Sequence, residues 1–293
     1  MKNRLIVITG PTASGKTALA VRLAQSLNTD VISADSRQIY RGIPIVTAVP
    51  SPEEMGGVTH HFIEEIGLED YYSAAMYEAD ALQKIRDLFR QHESVVVCGG
   101  SMMYVDALCN GIDELPTVPD NVRAGLTDEW KEKGDEYLLN ELKRLDPNYY
   151  ERVDLRNMKR VFHAVEVSIA SGQPYSSLLT GRKATREFQI EKYCIEMERD
   201  LLFRRIGERV DRMVQSGLIE EAERVYPLKG LNSLNTVGLK ELFAVFDGEM
   251  DMGVAIERIK KNTRVYAKKQ MTWYKRDPDV KYISSDVDVR KLI

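Results

Sequence analysis

Cysteine is scarce in this sequence: Cys98, Cys109 and Cys194 are three residues in 293, odd in number and far apart. That pattern excludes a disulfide framework and the paired spacing of a zinc site, and it predicts a reducing, cytoplasmic compartment. Long apolar runs are also missing. The first, Leu5-Ile6-Val7-Ile8, is far too short to span a membrane or to form the core of a signal peptide, and a glycine loop follows at once. No membrane partner is expected. No repeat or low-complexity tract interrupts the chain. Neither charge dominates: 41 Lys and Arg face 45 Asp and Glu, a net charge of −4, so any nucleic-acid contact must come from local patches.

What is present suits an enzyme. With 43% hydrophobic residues, the chain can bury one sizeable core plus a smaller satellite, or one large α/β domain. The N-terminal part alternates short apolar runs with amphipathic stretches, the pattern of βα units around a parallel sheet. Leu5 to Thr9, Val31 to Ala34 and the valine-rich Ser94 to Cys98 read as strands. Ala79, Leu82, Ile85 and Phe89 recur at helical spacing and predict a crossover helix. Pro116 and Pro119 then break the chain, and the residues up to about Gly181 read as helices without a strand. The expected architecture is an α/β fold, a P-loop NTPase-like parallel sheet flanked by helices, with an inserted all-helical domain. Its core spans residues 1–114 and 190–293, and the insertion spans 115–189. Tyr193 to Met197 is expected to rejoin the sheet before a long helical C-terminal part. There Leu201, Ile206, Val210 and Met213 form an apolar stripe, with Arg204, Arg205, Arg209 and Arg212 mostly off it.

Gly10-Pro11-Thr12-Ala13-Ser14-Gly15-Lys16-Thr17 matches G-x-x-x-x-G-K-[ST], between an apolar strand and the helical run Ala18 to Leu27. The glycines let backbone N–H groups face phosphate oxygens, and the helix N-terminus adds its dipole. Lys16 would neutralise the terminal phosphate and Thr17 would ligate Mg²⁺. A P-loop names what is gripped, not the reaction. Asp35, at the end of the second strand, stands at the carboxyl edge where ligands bind in open α/β folds. From position alone it is equally a general base or a turn carboxylate. The third strand ends in Cys98-Gly99-Gly100-Ser101 where a motor-type ATPase would carry a Walker B aspartate, and no Asn-Lys-x-Asp stretch for guanine recognition is present. A small-substrate kinase, or a transferase with diphosphate as leaving group, remains.

Three segments together carry a more specific signal: Gly10 to Thr17, Asp35-Ser36-Arg37-Gln38-Ile39-Tyr40-Arg41-Gly42-Ile43-Pro44, and Thr263-Arg264-Val265-Tyr266-Ala267-Lys268-Lys269-Gln270-Met271-Thr272-Trp273. In this order they resemble the tRNA dimethylallyltransferases, the IPP transferase family, and the resemblance spans nearly the whole chain. It implies transfer of a dimethylallyl group from its diphosphate to N6 of the adenine just 3′ of the anticodon, assisted by Mg²⁺. Residues Gly10 to Thr17 would hold the diphosphate of dimethylallyl diphosphate rather than ATP. Asp35 would take a proton from the adenine amine, with the hydroxyl of Ser101, where the family normally carries threonine, beside it. Asp35, Ser36, Arg37, Gln38 and Ser101 would touch the tRNA anticodon stem-loop, as would Arg123, Lys159, Arg160, Val161, Phe162 and His163 of the insertion. A monomer without an obligate protein partner is expected. The chain lacks the cysteine and histidine extension of eukaryotic relatives, which fits the bacterial type.

The chain departs from the family text in three places: Gly99-Gly100-Ser101-Met102-Met103-Tyr104 for Gly-Gly-Thr-Gly-Leu-Tyr, Leu155-Arg156-Asn157 with His163 in the insertion, and Leu239 for a tyrosine. Met102 fills space that a glycine leaves open. Between Glu257 and Arg276 eight basic residues, Arg258, Lys260, Lys261, Arg264, Lys268, Lys269, Lys275 and Arg276, meet one acid, with Tyr266, Trp273 and Tyr274 interleaved. Alone, such a run is a solvated helix face over core aromatics. Beside the resemblance it suits phosphate contact with stacking. The competing readings are a small-molecule or nucleotide kinase, prenyl transfer to free AMP, and a nucleotide-gated RNA-binding protein.

Overall fold

The computed structural model describes residues 3–113, 115–181 and 183–293; Glu114, the expected end of the first core segment, lies outside them. The chain divides into two compact units, Met1–Asn110 with Thr185–Ile293, and Gly111–Ala184.

The larger unit is built on a sheet of β1 (Arg4–Thr9), β2 (Val31–Ser33), β3 (His60–His61), β4 (Ser94–Cys98), β5 (Gln189–Ile195) and β6 (Val280–Ile283), in the order β3-β2-β4-β1-β5-β6. Every pairing is parallel. Parallel neighbours require crossovers. Helix α1 (Lys16–Leu27) links β1 to β2, α2 (Ala74–Leu88) leads to β4, and α3 (Met102–Asn110) follows it. The apolar residues alternate faces as a pleated strand demands. Leu5, Val7, Val95 and Val97 pack into the core on one face, and Ile6, Ile8 and Val96 pack on the other with Leu19, Leu23 and Ala24 of α1. Each such side chain contributes about 1.5–3 kcal/mol when fully buried, so the continuous apolar runs of the central strands are what a sheet covered on both faces requires.

The smaller unit holds α4 (Asp120–Leu145), interrupted by non-helical backbone at Gly134, and α5 (Met158–Ser171), with no strand among its described residues. Leu126, Leu138, Leu142, Val161, Ala164 and Val165 make its core. The chain then returns to the larger unit through β5, followed by α6 (Arg199–Gln215), α7 (Leu218–Val225), α8 (Leu239–Phe246) and α9 (Met252–Tyr274).

Two expectations need correction. Strand β5 starts at Gln189 and ends at Ile195, not Tyr193 to Met197. Its polar first half reads as loop, but Glu191 pairs with Arg4 at 2.8 Å and Lys192 is ion-paired with Asp277, so both charges are neutralised within the sheet. The short edge strands β3 and β6 extend the expected sheet: β3 is two histidines, and in β6 Val280 and Ile283 pack inward while Lys281 and Tyr282 are exposed. In α6 the buried residues are Leu202, Ile206 and Val210, at i, i+4, i+8, rather than a stripe starting at Leu201.

Candidate active site

The carboxyl ends of β1, β2 and β4 meet at one cleft of about 610 Å³. Strand β1 delivers Gly10 at φ 143°, and a Cβ there would lie 3.1 Å from the Ile195 nitrogen of β5. Only glycine leaves the sheet this closely. The loop passes through Ala13 and Gly15, both with positive φ, and opens α1 at Lys16. Lys16 Nζ donates to the Pro11 carbonyl at 2.9 Å. Burial pushes its pKa down; the neighbouring Arg209 adds to that fall and Asp35 opposes it. The Cys98 thiol, in contact with Thr17, is pushed by burial up to about 11 and stays protonated near neutral pH.

At the end of β4, a Cβ on Gly99 would sit 2.1 Å from the Ala34 carbonyl oxygen, so β2 and β4 approach each other only because residue 99 is glycine. This approach brings Asp35 and Ser101 together. Asp35 Oδ1 accepts the Arg37 N–H at 2.9 Å and the Gln38 N–H at 3.3 Å, so the carboxylate closes an Asx-type turn while lining the cleft. No hydrogen bond to Oδ2 is found among the described residues. Ser101 Oγ accepts the Ser36 N–H at 2.8 Å and donates to Ser36 Oγ at 3.1 Å. Arg37 and Gln38 line the cleft, but their polar groups already have partners. Arg37 donates to the carbonyls of Asn232, Ser233 and Asn235, and Gln38 to those of Thr47 and Ala48. Both brace the loop that carries Asp35.

Three further cleft residues lie on C-terminal helices. Arg209 of α6 turns its guanidinium inward and donates through Nη1 to Thr12 Oγ1 at 3.1 Å; burial lowers its pKa. Gln270 of α9 accepts the Thr12 N–H through Oε1 at 2.9 Å and donates through Nε2 to the Gly100 carbonyl at 2.8 Å. Tyr266, one turn earlier, lies against Ser101, and burial together with the Asp35 charge pushes its pKa up to about 12. The motif run contains both: Tyr266 is one of its expected aromatics, whereas Gln270 carries no charge or periodicity that would mark it. Tyr274 is buried in the core and Trp273 packs against it, so neither is a stacking surface; Tyr266, 37% exposed, is. Arg258, Lys261, Lys268, Lys269, Lys275 and Arg276 are exposed along and just beyond α9, whereas Lys260 is paired with Asp211 and Glu257.

In the smaller unit Lys159 and Arg160 are exposed on the first turn of α5. Val161 is a correction: its side chain is fully buried in the unit's core and has no surface for a ligand. Phe162 is partly buried against Trp130, with ring centroids 5.5 Å apart. Arg123 Nε and His163 Nδ1 meet the buried Glu166 carboxylate at 2.8 and 2.9 Å. Burial opposes the Glu166 charge, yet these two partners hold its pKa below the ordinary 4.5.

Residues 38–277 match the IPP transferase family. The chain belongs to that family. A relative from Parabacteroides distasonis, tRNA dimethylallyltransferase 2, is 48% identical over 284 residues, 97% of this chain and 95% of the relative. The tRNA dimethylallyltransferase of Christiangramia forsetii is 44% identical and covers 100% of this chain and 97% of its own. Among solved structures, the tRNA isopentenylpyrophosphate transferase of Bacillus halodurans matches 99% of this chain and 93% of its own, with a TM-score of 0.71 at 34% identity. A eukaryotic dimethylallyltransferase caught acting on tRNA matches 97% of this chain and 74% of its own, with a TM-score of 0.83 at 25% identity. The P-loop, N-terminal to the matched family segment, falls within these near full-length likenesses. Among the described residues no helix is long and apolar enough to cross a membrane.

Proposed function

We infer that this protein, a transferase of the IPP transferase family, moves the dimethylallyl group of dimethylallyl diphosphate onto N6 of the adenine 3′ of the anticodon in tRNA. The observation that carries the reading is one cleft lined jointly by the P-loop residues Thr12, Lys16 and Thr17, by Asp35 and Ser101, and by Tyr266 and Lys269 of the basic helix α9.

The allylic C–O bond breaks as a C–N bond forms to the amine, and negative charge develops on the departing diphosphate. The loop N–H groups, Lys16 and Arg209 stand where that charge grows. Residues Gly10 to Thr17 form the cradle. Asp35 Oδ2 takes the amine proton, because Oδ1 is held by the turn. Ser101, braced by Ser36, fixes the amine with its remaining acceptor capacity. Mg²⁺, when bound, would neutralise diphosphate oxygens, with the Thr17 hydroxyl as its protein donor. That donor fits: Thr17 lines the same cleft as Thr12 and Lys16, and Mg²⁺ carried mainly on substrate phosphates needs few protein ligands. The adenine reaches the cleft by leaving its stack, at a cost of about a few kcal/mol. The exposed cations of α9 suit phosphate contact with the anticodon stem-loop, and within the smaller unit Lys159 and Arg160 are exposed cations of the same kind.

Radiolabelled dimethylallyl diphosphate and Mg²⁺, offered with an anticodon stem-loop or with AMP, test the reading. Label in the stem-loop alone is expected. Label in AMP would move the activity to free nucleotides, and label in neither would favour phosphoryl transfer from ATP.

A further inference from the structure

We propose that Gln270 is the positioning residue of the P-loop, its amide locking the loop's entry turn to the carboxyl end of β4. The proposal rests on the reading that the loop holds a diphosphate. Gln270 is 2% exposed on α9. Its amide oxygen takes the Thr12 N–H at 2.9 Å and its amide nitrogen gives to the Gly100 carbonyl at 2.8 Å. The orientation of the amide follows from its partners, since a backbone N–H only donates and a carbonyl only accepts. The seat is closed around it: a Cβ on Gly100 would lie 2.5 Å from Nε2.

Burying a primary amide is costly unless both ends are used, and here they tie together the two halves of the site. Thr12 stands at the entry of the cradle and is also held through its hydroxyl by Arg209, while Lys16 folds back on the adjacent Pro11 carbonyl. Gly100 precedes Ser101, whose hydroxyl is bonded to Ser36 beside Asp35. The Gln270 bridge therefore sets the spacing between leaving-group cradle and amine-binding edge. The Thr12 N–H, spent on Gln270, is not among the amides that face a phosphate. Losing the bridge acts on diphosphate binding and turnover and leaves stem-loop affinity alone.

Gln270→Glu and Gln270→Met test this. A protonated carboxyl reproduces both bonds, its C=O accepting from Thr12 and its O–H donating to Gly100. A carboxylate cannot donate and repels the carbonyl. Burial raises the pKa of such a carboxyl, so the variant-to-parent ratio of kcat/KM for dimethylallyl diphosphate is expected to rise about tenfold or more from about pH 8 to about pH 5.5. Gln270→Met fills the volume without either bond and is expected to lose about 10- to 100-fold in kcat/KM and in affinity for inorganic pyrophosphate with Mg²⁺, with stem-loop affinity within about threefold. A Met variant as active as the parent, a pH-independent ratio for the Glu variant, or an equal loss of stem-loop affinity would overturn the proposal. If the parent transferred no dimethylallyl group, the proposed function would fall, and the pyrophosphate affinities would still decide the role of Gln270.

Discussion

Asp35→Asn separates two roles that one carboxylate fills. The turn role belongs to Oδ1, which takes the Arg37 and Gln38 N–H groups. Asparagine keeps an oxygen at that place. Bonds to a charged acceptor contribute about 1.5–3 kcal/mol and neutral ones about 0.5–1.5 kcal/mol, so weakening this pair costs about 1–3 kcal/mol. Against the 5–15 kcal/mol typical of folding, the folded population stays essentially complete. The base role has no substitute, since an amide cannot take the amine proton. General-base loss is about 10²–10⁴-fold, or about 3–5 kcal/mol in the barrier. The assay is single-turnover transfer of labelled dimethylallyl to a stem-loop at saturating substrates, with a denaturant melt of the same preparation. A fall in rate of at least about 100-fold with a small shift in midpoint is expected. A rate within threefold of the parent's would refute the argument and leave Asp35 as a turn residue.

Further outcomes follow from the same geometry. Arg209→Met removes the guanidinium beside Thr12 and should weaken pyrophosphate binding about 10- to 100-fold by calorimetry, with stem-loop affinity nearly unchanged. Gly99→Ala places a methyl 2.1 Å from the Ala34 carbonyl oxygen, and forcing β2 from β4 should cost about 3 kcal/mol or more, seen as a lower denaturation midpoint together with lost turnover. Glu166→Gln should lower stability by about 1–3 kcal/mol at neutral pH. Because the folded pKa of Glu166 is depressed, this contribution is complete above the ordinary 4.5 and vanishes as pH falls through the folded value. Melting temperatures of parent and variant should therefore converge only at acid pH.

The sheet's centre was legible because its residues satisfy two local rules at once. Leu5 to Ile8 and Val95 to Val97 are apolar on both faces, as a covered parallel strand must be, and glycine-rich turns follow them. The first half of β5 was not legible, since Glu191 and Lys192 fit a strand only once Arg4 and Asp277 neutralise them. The same division runs through the site. Asp35 and the P-loop lie at strand ends, where position along the chain gives position in space. Arg209 and Gln270 reach Thr12 from residues about 200 and 260 positions away. No periodicity distinguishes an inward-turned arginine from its solvated neighbours Arg204 and Arg212. Arg37 shows the converse: it sits in a motif, yet its guanidinium is spent on three backbone carbonyls.

The central claim is that a diphosphate ester held in the P-loop alkylates an exocyclic adenine amine. Two anticodon stem-loops that differ only 3′ of the anticodon, one with adenosine and one with inosine, which lacks that amine, test it by nucleoside mass analysis after incubation with dimethylallyl diphosphate and Mg²⁺. The account predicts one dimethylallyl group on N6 of the adenosine and none on the inosine stem-loop. Equal modification of both would contradict it.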